Sequence, residues 1–256
     1  MNTISKNTCD NCDKLTETRE HYHYFISHLS HEVRNPLTLI SSSLQLIEKE
    51  CPSVTDSALW PQVREDVRNT ICLLQDISSL NNADTLNCST FCTDELLSSI
   101  HASFSSFMKE RGIHFTVEAD PSAVSLSLTA DRRKLQEVLT NLLINAADAL
   151  CGPDTSKSSE HYSRIVNPCI TLTVSCENKM LCIHVKDNGP GIPDEYLETL
   201  FDPFVTHKTN GTGLGLSIAW RVARLHGGYI TVDTDTAFPD SYADFCLCLP
   251  TVDYKM

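Results

Sequence analysis

The chain opens on a polar, charged stretch with no apolar period, and residues 1–20 read as a disordered lead-in. A helical rhythm follows. Leu37, Ile40, Leu44 and Ile47 recur at spacings of three and four, with Ser41, Ser42, Ser43 and Gln45 between them. Cys51-Pro52-Ser53 ends that helix. Val63, Val67, Thr70, Leu74 and Ile77 then alternate by four and three, the seam of a second amphipathic helix. Two such helices joined by a short linker predict an α-hairpin. Such a hairpin has too little core of its own, so pairing into a dimeric four-helix bundle is expected. Asn81-Asn82-Ala83-Asp84 breaks the pattern and marks the expected domain boundary.

Beyond it the rhythm becomes mixed. Phe91–Lys109 reads as helix, His114–Glu118 as strand, and Asp131–Leu150 as a strong helix. Gly152–Pro168 is a polar loop, longer than most connections. Ile170–Cys176 and Met180–Lys186 form a hairpin about Asn178-Lys179. Leu216–Leu225 is helical and is stopped by Gly227-Gly228, and Tyr229–Val232 and Phe245–Leu249 are strands. The fold class is therefore α+β, and no internal repeat is visible.

With 256 residues there is room for one large or two modest domains. The net charge of −13 argues against nucleic-acid or anionic-membrane partners, which need a basic face. No apolar run reaches a membrane span, and the first residues lack a signal-peptide core, so a cytoplasmic location is expected. Twelve cysteines are scattered through mostly apolar segments and read as small buried thiols. Cys9 and Cys12, with His21 and His23 downstream, form a weak metal or redox motif in a polar terminal setting.

Four groups of residues carry candidate chemistry. Asp187-Asn188-Gly189-Pro190-Gly191 follows a strand. Its carboxylate can accept from an exocyclic amine, and its glycines admit a flat ligand. Gly211-Thr212-Gly213-Leu214-Gly215-Leu216 opens a helix at Ser217, where backbone N–H groups face phosphate. It is neither a Walker loop nor a dinucleotide fingerprint. Asn141 and Asn145 lie one turn apart on a helix, a poor place for Asn unless the amides ligate a hard cation. Finally, His31 is followed by Glu32, and Pro36 weakens the helix just below. A carboxylate beside an imidazole keeps one ring nitrogen nucleophilic at neutral pH.

In this order the pieces resemble the bacterial two-component sensor histidine kinases. Ser30–Leu37 looks like the family's H-box, Asn141–Ala146 its N-box, and Asp187-x-Gly189-x-Gly191 its G1 box. Phe201-Asp202-Pro203-Phe204 resembles the F-box and Gly211–Leu216 the G2 box. His-Glu-x-Arg-Asn-Pro, Asn-Ala-x-Asp-Ala and a short lid ending Thr206-His207-Lys208 are similar to the nitrogen-regulatory and sporulation-kinase branch, where Thr-Thr-Lys is usual.

The resemblance implies a dimerisation and phosphotransfer hairpin over 21–84. It implies an α/β-sandwich ATP-binding domain of the gyrase and chaperone type over 85–256. It makes His31 the phospho-acceptor, Glu32 its general base, and Asn35 a polar group that aligns water for response-regulator dephosphorylation. Asn145 becomes the Mg²⁺ ligand, with Asn141 near the phosphates, and Asp187 the adenine contact, with Gly189 and Gly191 giving room. Lys208, Gly211, Thr212, Gly213, Leu214 and Gly215 hold the triphosphate, and Phe201 and Phe204 anchor the lid. Implied cofactors are ATP and Mg²⁺. Implied partners are a second copy of the chain and a response-regulator receiver domain. Too few residues precede the hairpin for a sensory domain, so the signal comes through a separate sensory or activating protein, through the Cys9/Cys12 tail, or through a part missing from a truncated product. Two other classes remain: a different ATPase of the same superfamily, which the H-box disfavours, and a non-catalytic phosphotransfer scaffold, which the intact Asn, Asp and Gly motifs disfavour.

Overall fold

A computed structural model of the chain describes residues 26, 28–30, 32–81, 85–151, 165, 167–208 and 211–251. The lead-in over 1–20, Cys9 and Cys12, His31 and most of the 152–168 loop lie outside the described residues. The chain divides into two units, Met1–Asp84 and Thr85–Met256.

In the first unit, α1 runs through 32–50 and a 3₁₀ turn, Pro52–Asp56, leads to α2, Trp60–Asn81. The helices pack antiparallel. Near one end Arg34 Nη2 donates to Ser78 Oγ at 3.1 Å, and near the other Trp60 Nε1 donates to Glu48 Oε1 at 2.7 Å. Arg64 Nη1 reaches the same carboxylate oxygen at 2.6 Å, and these two donors hold the Glu48 carboxyl below its ordinary pKa. Leu37, Ser41 and Leu44 are half-buried on the face of α1 that carries Arg34 and Glu48. Among the described residues of this unit only Ser30 and Ser78 are buried. Ile26, Val33, Ile40 and Ile47 recur every seven residues and stay exposed, as do Leu29, Leu39 and Leu46.

The second unit is a two-layer sandwich. Its elements are β1 Ser89–Cys92, α3 Thr93–Glu110, β2 His114–Ala119, α4 Pro121–Val124, β3 Ser127–Ala130 and α5 Arg132–Cys151. They continue with β4 Cys169–Glu177, β5 Met180–Asp187, α6 Asp194–Leu197, α7 Gly215–Leu225, β6 Tyr229–Asp235 and β7 Tyr242–Pro250. Five strands form one sheet in the order β2-β4-β5-β7-β6. The β2–β4 pair is parallel and the other pairs are antiparallel. Strands β1 and β3 pair separately.

Alternation decides which face of the sheet packs. Ile170, Leu172, Val174, Leu181, Ile183, Val185, Leu247 and Leu249 are fully or almost fully buried. The intervening Thr171, Thr173, Lys186 and Asp244 are not. Leu135, Val138, Leu139, Leu142 and Leu143 of α5 and Ile218, Ala219 and Val222 of α7 supply the opposing layer. Asn178 and Lys179, with φ of 50° and 64°, make the tight turn between β4 and β5, whose twist suits a two-residue hairpin.

Several sequence expectations need correction. Phe91 and Cys92 belong to strand β1, and α3 starts only at Thr93. Phe91 is committed to β-pairing with Leu128, which overrides its helical spacing. β1, β3 and α4 were not foreseen. The helix after the glycines starts at Gly215 rather than Ser217. The cysteines are less buried than their surroundings suggested: Cys51, Cys72 and Cys88 are exposed, and only Cys246 and Cys248 are buried among those described.

Candidate active site

The site is assembled where the C-terminal end of β5 meets the second half of α5. Asp187 is the last residue of β5, paired across the sheet with Ile170 and Ala243. Its side chain is 3% exposed. Burial raises its pKa to about 7, although the N–H groups of Gly189 and Ala243 stabilise the carboxylate and pull the other way. Gly189 N donates to Asp187 Oδ1 at 2.9 Å. A side chain at Gly189 would be driven against that same oxygen.

The turn after Asp187 is tied to the sheet from below. Ser241, itself buried, donates from Oγ to Gly189 O at 2.8 Å. Thr234 Oγ1 accepts from Ile192 N at 2.8 Å and donates to Tyr242 O at 2.8 Å. Gly191 has a φ of 72°, and a Cβ there would run into the carbonyl of Asp235. The loop therefore lies against β6 as closely as a backbone can.

Helix α5 presents Asn141, Asn145 and Asp148 one turn apart on a half-buried stripe. Asn141 Nδ2 donates to Gly215 O at 3.2 Å, which joins α5 to the start of α7. Lys208 Nζ donates to Asn145 Oδ1 at 2.7 Å and to Asp148 Oδ2 at 2.9 Å. Asp148 also meets Arg111 Nη1 at 3.3 Å. An amide oxygen and a carboxylate oxygen thus converge on one positive charge. An amide oxygen with a carboxylate oxygen is the kind of hard donor pair that suits a divalent cation such as Mg²⁺, and Lys208 supplies the positive charge beside it in this structure.

The glycine-rich segment has two different tasks. Gly213 has a φ of 67° and no room for a Cβ against the Phe204–Val205 backbone, and its carbonyl accepts from Phe204 N at 2.9 Å. A Cβ on Gly215 would meet only Asn141, at 3.5 Å, an ordinary contact. Gly215 is free of any packing demand within the protein, and its bare backbone borders the amide stripe. Thr212 Oγ1 accepts from Leu214 N at 3.3 Å, while the Leu214 side chain is fully buried in the core. Of Leu214 only the backbone belongs to the site.

The strand, the helix stripe and the glycine turn thus bring Asn141, Asn145, Asp187, Gly189, Gly191, Lys208, Gly213, Leu214 and Gly215 into one unit. Two comparisons bear on what the arrangement is. Residues 130–253 match the family of histidine kinase-, DNA gyrase B- and HSP90-like ATPases, and residues 23–84 match the His Kinase A (phospho-acceptor) domain. A nucleotide-free catalytic domain of the histidine kinase ThkA superposes with a TM-score of 0.52 at 30% identity, covering 64% of this chain and 96% of that one. The chain belongs to the sensor histidine kinases. Among curated relatives, the sensory histidine kinase/phosphatase NtrB of Azospirillum brasilense is 31% identical over 81% of this chain and 51% of its own length. Sporulation kinase D of Bacillus subtilis is 25% identical over 80% of this chain and 38% of its own length. The chain thus spans about half the length of the NtrB relative.

Within this histidine kinase, the lid differs from the sequence expectation. Phe204 is 64% exposed with a φ of 66°, so its backbone, not its ring, fastens the lid to Gly213. The anchoring ring is His207, stacked on Tyr196 of α6 at 3.7 Å between centroids. The resemblance implied Thr at position 207, and the ring that stands there instead makes the stack. Gly211 lies against Thr206, and residues 209–210 are outside the described ones.

Asp148, Ser241, Thr234 and Tyr196 were missed as site residues. For Asp148 the signal existed: it sits three residues after Asn145, on the same face. For the others it did not, because their roles depend on which strands become neighbours. In the hairpin unit Glu32 and Asn35 are exposed, and His31 lies outside the described residues. No described helix is long and apolar enough to cross a membrane.

Proposed function

We propose that the chain is an ATP-dependent protein histidine kinase that phosphorylates itself on His31 and passes the phosphoryl group to an aspartate of a response-regulator receiver domain. The observation that carries this reading is the oxygen pair of Asn145 and Asp148 closed by Lys208, one element away from the buried Asp187 carboxyl. An oxygen pair around one positive charge and a buried carboxyl in the same unit support a reading in which they meet the two ends of ATP.

Asp187 accepts from the adenine exocyclic amine, and the donated N–H favours the carboxylate form that burial alone disfavours. Gly189 and Gly191 keep the loop flat against β6 for the base. Gly211, Thr212, Gly213, Leu214 and Gly215 offer backbone N–H groups to the phosphates at the start of α7. Asn145, with Asp148, would hold Mg²⁺, which neutralises charge on the phosphate oxygens. Lys208, which donates to Asn145 Oδ1 and Asp148 Oδ2, is within the same unit as the glycine turn and would serve the phosphates.

In the chemical step a ring nitrogen of His31 attacks the γ-phosphorus. The bond from that phosphorus to the β–γ bridging oxygen breaks, ADP leaves with the electron pair, and Glu32 takes the imidazole proton. Positioning and charge neutralisation suffice for such a loose transition state. The receiver aspartate then attacks phosphohistidine. Asn35 orients a water for the reverse function, receiver dephosphorylation. The phospho-acceptor unit over 21–84 pairs with a second copy, and the exposed stripe Ile26, Val33, Ile40 and Ile47 is the surface that does so. The ATP-binding unit occupies 85–256.

The test is incubation with γ-labelled ATP and Mg²⁺. Acid-labile, alkali-stable label on the wild type, absent from His31→Gln, is expected. ATP that binds without labelling the protein, at any protein concentration and with receiver domain present, would overturn the reading.

A further inference from the structure

On the sheet face turned away from the helices, three thiols converge. Cys182 of β5 lies directly opposite Cys248 of β7, and Cys246 stands two residues before Cys248 on the same face. Cys182 Sγ and Cys248 Sγ are 3.6 Å apart, and Cys246 Sγ and Cys248 Sγ are 3.4 Å apart. All three sulfurs lie within 4.8 Å of one another, the only such His, Cys, Asp and Glu cluster among the described residues. Cys246 and Cys248 are buried and Cys182 is half-buried, which leaves one side open to entry.

We propose that Cys182, Cys246 and Cys248 form a binding site for a single thiophilic divalent cation of the zinc type. The assignment is independent of the kinase reading. Two thiolates on one tetrahedral zinc are about 3.8 Å apart, given Zn–S bonds of about 2.3 Å. The observed separations need only small side-chain rotations to match. The surrounding face is polar: Ser175 stands opposite Cys182, Tyr229 opposite Cys248, and His184 and Thr231 flank Cys246. Three thiols gathered on such a face have no apolar core to fill, unlike Leu181, Ile183, Leu247 and Leu249 on the other side.

Cys182 and Cys246 hold their protons more firmly than ordinary thiols. Burial and contact with Cys248 push Cys182 up to about 11 and Cys246 higher still. Glu177 adds to this at Cys182 and Asp244 at Cys246, the Tyr229 hydroxyl bonds to Cys248, and the His184 imidazole is paired with Asp244. Binding therefore breaks three S–H bonds, forms three metal–sulfur bonds and releases three protons to solvent for each M²⁺ taken up, leaving a site of net charge −1. The fourth position belongs to water. The cation ties β5, the strand that ends at Asp187, to its neighbour β7.

The test uses the reduced full chain with Cys9→Ser and Cys12→Ser, so that the terminal motif is silent. Titration with Co²⁺ should give one equivalent with thiolate-to-metal charge-transfer absorption, displaced by Zn²⁺, with about three protons released. Cys248→Ser and Cys182→Ser should each weaken uptake at least a hundredfold, and Cys72→Ser and Cys88→Ser should leave it unchanged. Cys182, the most exposed of the three, is the variant least able to disturb folding, and retained cooperative unfolding checks it. No stoichiometric uptake by the parent chain, or an unaltered spectrum in a cooperatively folding Cys182→Ser, would overturn the assignment and leave the thiols as packing.

Discussion

In Thr85–Met256 the five-stranded sheet and the three long helices send aliphatic side chains into one core, and every buried apolar residue described belongs to that unit. In the helical unit no described apolar side chain is buried, and a heptad stripe from Ile26 to Ile47 faces outward. A sheet covered by helices on one face closes its own core. A two-helix hairpin buries only the narrow seam between the helices, and the rest of its apolar surface needs another chain. Thr85–Met256 is therefore built to close its own core, whereas the helical unit leaves apolar surface that the proposed pairing with a second copy would cover. The chemistry follows the same division. The groups proposed to hold nucleotide sit on elements tied by hydrogen bonds, while Glu32 and Asn35, proposed to serve the histidine, lie exposed on a helix that Pro36 weakens.

The largest way to break this contrast is to put charge on the stripe. Ile40→Lys with Ile47→Lys should cost the proposed dimer about 4 kcal/mol, from two isoleucines that pairing would bury at roughly 1.5–3 kcal/mol each. Analytical ultracentrifugation would then show monomer where the wild type is dimeric, with nucleotide affinity unchanged. A dimer that persists would remove the association half of the comparison.

Next comes the core. Leu139 is fully buried in α5, and Leu139→Ala should destabilise the ATP-binding unit by about 3 kcal/mol in denaturant melts, as large-to-small core changes do. Its effect should not depend on protein concentration, unlike that of the stripe variant.

Asp187→Asn separates stability from function within one residue. The substitution removes a charge that burial opposes, so stability at pH 8 should hold or rise. Loss of the carboxylate should weaken ATP about 30-fold, or about 2 kcal/mol, by calorimetric titration. Equal loss of both would make Asp187 a structural residue.

The smallest effect is on pH dependence. His226 Nε2 accepts from Asp131 N at 3.0 Å, and His226 Nδ1 donates to Val222 O at 2.8 Å. Burial lowers its pKa below 6.5. The unfolded chain then binds a proton more readily than the folded one, so this contribution is whole above pH 6.5 and is lost as the pH falls below it. Breaking the Asp131 bond costs about 1 kcal/mol. Asp187 acts in the opposite sense. Its pKa is raised to about 7, so the stability it contributes is whole below the unfolded value near 3.8 and is lost as the pH rises through 7. Melts from pH 5 to 8 should show both limbs, the acid limb absent in His226→Gln and the alkaline limb absent in Asp187→Asn.

Periodicity made the helices and the β4–β5 hairpin legible, down to the turn at Asn178-Lys179, because burial on one face forces the spacing. It failed at β1 and β3. Four-residue strands such as Ser127–Ala130 are too short to show an alternation, and Phe91 fitted the helical rhythm of its neighbours. The site's amides, carboxylate and glycines were legible as short motifs, since each depends on local spacing. Lys208 on Asn145 and Asp148, Ser241 under Gly189, and His207 on Tyr196 join residues far apart in the chain, and only the folded arrangement reveals them.

The central claim is that a nucleotide site in one unit serves a histidine in the other. Equilibrium ATP binding and transfer of γ-label, measured on the same preparations of His31→Gln and Asn145→Ala, test it most directly. The account predicts that His31→Gln binds ATP with Mg²⁺ as the wild type does and takes no label, whereas Asn145→Ala loses both. Label on His31→Gln, or undiminished binding and labelling in Asn145→Ala, would contradict it.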